Sequence, residues 1–128
     1  MKRGEIRWYT FALPDKRRPV LILTRDEVID YLNEIIVVPI TRTVRGLATE
    51  VLLTPDDGMP VVSALNFDHV ALAQRQRIGA TICSLPSERW EEVRWALLPA
   101  ASRDNRRCTK LGRKFLARLS RLRTSHLD

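Results

Sequence analysis

The chain has 128 residues, 45% of them hydrophobic and 29% charged, which fits one folded domain with a single core and excludes a disordered or fibrous chain. Its formal charge of +7 lies wholly in residues 100–128, with nine basic and two acidic side chains, whereas residues 1–99 carry 13 of each sign. Overall basicity is therefore no argument for nucleic-acid binding by the body of the protein.

Residues 5–11 alternate as a first strand, with Ile6 and Trp8 on one face and Arg7 and Tyr9 on the other. Pro14-Asp15-Lys16 makes a short turn. Residues 19–23 form an unbroken aliphatic run, the pattern of a strand buried on both faces. Pro19 has no N–H to donate, so it opens that strand, and it holds Arg18 in extended backbone at the entrance. Residues 26–33 read as a short helical or irregular connection with Asp26 as a cap.

A second aliphatic strand, 35–40, delivers Thr41 at its end, and residues 42–47 follow as a mobile loop. Residues 49–53 are another strand, closed by the turn Pro55-Asp56-Asp57-Gly58. Residues 61–70 fit one long bent strand or two joined ones, and 77–82 a short last strand. A helix over 87–98 opens on Ser87, carries Glu88, Glu91 and Glu92 early and repeats Trp90, Val93 and Leu97 at helical spacing; Pro99 ends it. Five to seven short strands and one terminal helix imply a mainly β (α+β) fold, a small, strongly bent barrel. Residues 100–128 lie outside that domain. Leu111, Phe115, Leu119 and Leu122 recur there at helical spacing among basic residues, as an RNA- or partner-binding helix or as a disordered extension.

Three patterns stand in fixed order near the start: Arg3-Gly4-Glu5-Ile6, then Arg17-Arg18-Pro19-Val20-Leu21-Ile22-Leu23, then Val37-Val38-Pro39-Ile40-Thr41. Each places a charged or hydroxylated residue at the edge of an apolar run. With Thr43-Val44-Arg45-Gly46-Leu47-Ala48-Thr49-Glu50-Val51, they resemble the MazF/PemK-type toxins of bacterial toxin–antitoxin pairs, which cut single-stranded RNA. The resemblance spans about residues 3–98. It implies the SH3-like barrel of the PemK/CcdB type, a homodimer, single-stranded RNA as substrate and a MazE-like antitoxin as partner.

Metal-free RNA cleavage uses the substrate's own 2′-hydroxyl as nucleophile. The protein must take that proton, stabilise charge on the phosphoryl oxygens and protonate the departing 5′-oxygen. An arginine suits the second task, since its planar fork donates two hydrogen bonds and stays charged. Arg18 and Thr41 match the family's catalytic positions; read from the residues alone, they are equally a surface arginine and a strand-end cap. Glu5 either orients Arg18 through an ion pair, accepts a proton, or is an exposed strand carboxylate.

Asp68 stands where some family members carry a catalytic aspartate, but those place an arginine two residues earlier, where this chain has Asn66. His69 is a natural general base by residue type, or a packing histidine in a strand. Arg17, Arg42, Arg45, Arg75 and Arg77 are candidate RNA-binding residues, and Trp8, Tyr9 and Phe67 are either base-stacking or core aromatics.

Cys83 and Cys108 have no CxxC spacing or nearby histidine pair, so neither a metal nor any other cofactor is expected. With no apolar run of membrane-spanning length and no signal-peptide core, the expected location is the cytoplasm, away from membranes. Two other classes stay open: a non-enzymatic poison on the same barrel, as in the gyrase-targeting CcdB toxins, and a module that binds nucleic acid without cutting it. The chain's terminal sequence, Thr-Ser-His-Leu-Asp, lacks the apolar tip with a tryptophan on which the CcdB activity depends.

Overall fold

The computed structural model describes residues 1–11 and 17–101; the turn expected at Pro14-Asp15-Lys16 and the basic segment beyond Ala101 lie outside the described residues. Among those described, the strands are β1 (Glu5–Thr10), β2 (Arg17–Ile22), β3 (Glu34–Thr41), β4 (Glu50–Leu53), β5 (Ser63–Asn66), β6 (Ala71–Gln74) and β7 (Thr81–Ser84). A one-turn helix, α1 (Asp26–Ile29), links β2 to β3, and α2 (Trp90–Ala101) follows β7. The sheet runs β4-β5-β3-β2-β1-β7, with β6 also on β3, and every pairing is antiparallel. It curls into a half-barrel with one C-terminal helix, a mainly β fold.

The central strands are apolar because both of their faces are covered. Leu21, Val38 and Ile40 join Ile6, Leu65, Phe67, Val93 and Ala96 in a core beneath α2. Val20, Ile22, Ile35 and Val37 join Tyr9, Ile29 and Ala73 in a second core on the other face. β1 alternates as expected, Ile6 entering the first core and Tyr9 the second on the opposite face, while the register shift opposite Ile6 and Arg7 is taken up by β7. Tyr9 is buried in that second core, and its ring meets Phe11 edge-on at 4.9 Å.

Contrary to the expected long or doubled strand, residues 61–70 hold one strand, β5, and a 3-10 turn at Phe67–His69, and β6 starts only at Ala71. The break matters because β5 pairs with the end of β3 (Ile40 with Leu65) while β6 pairs with its beginning (Val37 with Ala71). The 67–69 turn fills the fork between them, beside Pro39. Contrary to the expected stop, α2 runs through Pro99. Proline removes one hydrogen bond from the last turn, and that loss is offset where Leu97 and Ala100 pack on the core.

The start of α2 is tied down by Arg89. Its guanidinium donates to both Asp57 oxygens at 2.7 and 2.8 Å, to Glu92 at 3.0 Å and to the Leu52 carbonyl at 2.5 Å. Among the described residues, no helix is long and apolar enough to cross a membrane.

Candidate functional site

Arg18 and Thr41 come together through strand register. Val20 pairs with Pro39, and continuing that antiparallel register by two residues puts Arg18 across from Thr41. Both line a cleft of about 510 Å³ with Pro39, Arg45, Glu50, Asn66, Asp68 and His69. Arg18 is exposed and has no ion-pair partner among the described residues, so its fork is available to an anion. The Thr41 hydroxyl oxygen accepts the Thr43 N–H at 3.1 Å, which leaves its own O–H to be donated.

The facing wall is the 67–69 turn. Asn66 Oδ1 accepts the Asp68 amide at 3.1 Å, and Thr49 Oγ1 donates to Asp68 Oδ2 at 2.6 Å. Asp68 and His69 are both exposed. His69 thus sits on a turn over the cleft, not half-buried in a strand. Asn66 occupies the position of the expected arginine and serves as the cap of the turn that presents Asp68.

On the other side of Arg18 and Thr41 lies a second cleft, of about 470 Å³, lined by Trp8, Arg17, Arg42, Met59, Pro60 and Val61. The Arg17 guanidinium lies over the Trp8 ring, 4.5 Å from its centroid. Arg18, Thr41 and Thr43 line both clefts, so the two meet at this pair. Of the three aromatics considered for stacking, Trp8 lines a cleft, whereas Tyr9 and Phe67 are core residues.

Three candidates fall elsewhere. Glu5 lies four residues along β1 from Tyr9, the partner of Arg18, roughly 13 Å at strand spacing. Its carboxylate pairs with Arg7 at 3.4 Å, accepts the Thr81 hydroxyl at 3.1 Å and takes the Lys2 amide. Partial burial pushes this carboxyl up, but those donors and the N-terminal ammonium outweigh it and hold it below the usual carboxylate range. The expected ion pair of Glu5 with Arg18 is replaced by one with Arg7, and the group is ill suited to accept a proton in the cleft.

Arg75 and Arg77 are carried away by β6, which runs antiparallel to β3 and ends opposite Glu34, at the far end from Thr41. That separation is roughly 23 Å along the strand. There Arg75 Nε donates to the Leu32 carbonyl at 2.9 Å.

Sequence reasoning missed Glu50 and Thr49 as cleft-building residues. The Asn66-x-Asp68 spacing carries an Asx-turn signal that would have given Asn66 its role. Glu50 stands in the 43–51 pattern, but nothing local in the sequence gives it a role in the cleft. Among the described residues, no group of three or more His, Cys, Asp or Glu side chains is placed to hold a metal ion. Chemically, the cleft offers a free guanidinium and a hydroxyl donor opposite a carboxylate and an imidazole, an arrangement matched to an anion that gains and loses protons.

Probable endoribonuclease MazF2 of Mycobacterium tuberculosis is 40% identical over 94 residues, 73% of this chain and 90% of that protein. The structure of the Mycobacterium tuberculosis toxin MazF-mt6 matches with a TM-score of 0.70 at 34% identity, covering 75% of this chain and 94% of the other. MazE–MazF from Deinococcus radiodurans matches with a TM-score of 0.64 at 25% identity, over 76% and 92% of the respective chains. The profile of the PemK-like, MazF-like toxins of type II toxin–antitoxin systems matches residues 2–100, and the chain belongs to that family.

Proposed function

We propose that this toxin is an endoribonuclease that cuts single-stranded RNA at the cleft of Arg18 and Thr41. The observation that carries the reading is the meeting of these two residues with Asp68 and His69 in one cleft, from three separate stretches of the fold. The names of the relatives support it.

In the step proposed, the 2′-oxygen of the RNA attacks the adjacent phosphorus and the bond to the 5′-oxygen breaks. Arg18 donates two hydrogen bonds to the non-bridging oxygens, and the Thr41 O–H donates a third; both gain strength as charge accumulates in the phosphorane. Asp68 and His69 are the groups in the cleft able to take the 2′-hydroxyl proton and return one to the departing oxygen. The products are a 2′,3′-cyclic phosphate and a 5′-hydroxyl, and no cofactor takes part. Arg17, Arg42 and Arg45 hold the flanking phosphates.

The working unit is a homodimer. Ile36 and Leu72, register partners on β3 and β6, are 41% and 62% exposed beside Trp90, Val93 and Leu97, an apolar face that a second copy would cover. A MazE-like antitoxin restrains the toxin by lying across the basic cleft, as the MazE–MazF assembly of the Deinococcus relative suggests. Its place of action is the cytoplasm, where messenger RNA is translated.

Incubating purified protein with a long single-stranded RNA in EDTA tests the reading. Discrete fragments with 5′-hydroxyl ends are the expected result. RNA that is bound yet stays whole would instead support a binding module, the alternative that Asn66 in place of an arginine leaves open.

A further inference from the structure

We propose that Glu50 is a positioning residue that shapes residues 45–47 into one wall of the cleft, against which the RNA must fit. The inference rests on the RNA-cleaving reading above.

Residues 43–47 have no regular secondary structure, and Val44 and Leu47 are 43% and 48% exposed, so apolar packing does little to hold this arch. Thr43 is tied to Thr41, and the tethers of residues 45–47 end on Glu50. Oε1 of Glu50 accepts the N–H groups of Arg45 at 3.0 Å and Leu47 at 3.1 Å, and the Glu50 amide donates back to the Leu47 carbonyl at 3.1 Å. Two amides two positions apart can converge on one oxygen because Gly46 between them adopts φ +70°, the left-handed region. Glu50 begins β4, whose register fixes it opposite Asn66. The carboxylate therefore ties the arch to the strand that faces the 67–69 turn, and Arg45 and Leu47 line the cleft with Glu50 itself.

Charge makes the placement informative. A bare carboxylate in a cleft for phosphates would repel them. Here two N–H donors already engage it, and its function is structural support of the wall. Loss of the carboxylate should free the arch and Arg45 without touching Arg18, Thr41, Asp68 or His69. Binding and choice of cleavage site then change more than the rate of the bond-breaking step.

The test compares wild type with Glu50→Ala and Glu50→Gln on one long single-stranded RNA, by mapping every cut and measuring KM and kcat. Amide hydrogen exchange at Arg45 and Leu47 is measured in parallel. Glu50→Ala should speed exchange at both amides at least about tenfold, raise KM about tenfold with kcat within about threefold, and cut at sites that wild type leaves intact. Glu50→Gln keeps the accepting oxygen and should stay near wild type in all three. If Glu50→Ala does not fold, Gly46→Ala strains the same arch with Glu50 in place and should broaden the cut pattern alike.

An unchanged cut pattern and KM in a folded Glu50→Ala protein overturns the proposal, as does a Glu50→Gln protein no better than Glu50→Ala. A wild type that leaves the RNA whole defeats the RNA-cleaving reading and this inference together, an outcome distinct from a wild type that cuts and a variant that cuts identically.

Discussion

Thr49 Oγ1 donates a hydrogen bond of 2.6 Å to Oδ2 of Asp68, joining the residue before β4 to the turn between β5 and β6. The Thr49 carbonyl also accepts the Phe67 N–H at 3.0 Å, so a single residue holds both the backbone and the carboxylate of that turn. One Asp68 oxygen is thereby fixed, and its position over the cleft is set by the sheet and not by a mobile loop.

If Asp68 handles a proton, Asp68→Asn should lower kcat by on the order of a hundredfold in a protein of unchanged melting temperature. Thr49→Val removes only the tether and should cost less, about tenfold or under, by the same assay. His69→Ala, at an exposed position, should leave folding intact, and a rate loss as large as that of Asp68→Asn would make the two an acid–base pair. Full activity in both Asp68→Asn and His69→Ala would remove the turn from the chemistry.

The Thr41 hydroxyl has two duties, accepting the Thr43 amide and donating to the phosphate. Thr41→Ser preserves both and should keep activity within a few-fold of wild type. Thr41→Ala should reduce kcat by roughly tenfold to a hundredfold, as the loss of one transition-state donor does. Single-turnover rates on a short RNA separate this from weaker binding.

Arg89 and Asp57 link stability to pH. Burial pushes the Asp57 carboxyl up, but the Thr54 amide and the Arg89 guanidinium outweigh it and hold it below its ordinary 3.8. A carboxyl lowered in the folded state contributes stability that is present above its ordinary value and lost as pH falls through the folded one. Urea unfolding at pH 7 should show Arg89→Ala destabilised by roughly 1–3 kcal/mol, since the half-buried Asp57 keeps only its Thr54 donors. The gap between the two proteins should narrow below about pH 4, and a gap independent of pH would contradict the assignment.

Much of the fold is legible in the sequence where burial on both faces forces continuous aliphatic runs, as at residues 19–23 and 35–40. Their polar ends, Arg18 and Thr41, are legible for the same reason. Features that depend on pairing are not. That the chain turns at 67–69 and starts a new strand at Ala71 depends on β3 serving β6 with its first half and β5 with its second, and only that fork places Asp68 in the cleft and sends Arg75 away. The partner of Glu5 depends on β7 bringing Thr81 beside it, 76 residues away. Pro99 reads as a stop until the packing of the helix around it is known. Glu50 acquires a role only through the backbone conformation of Gly46.

The central claim is that Arg18 stabilises charge developing at the phosphorus, and the most direct measurement is the single-turnover cleavage rate of Arg18→Ala on a defined single-stranded RNA in EDTA. The account predicts a loss of about a hundredfold or more with RNA affinity reduced far less, and no rescue by Arg18→Lys, whose ammonium lacks the two-pronged contact. A folded Arg18→Ala protein that cuts at the wild-type rate would contradict it.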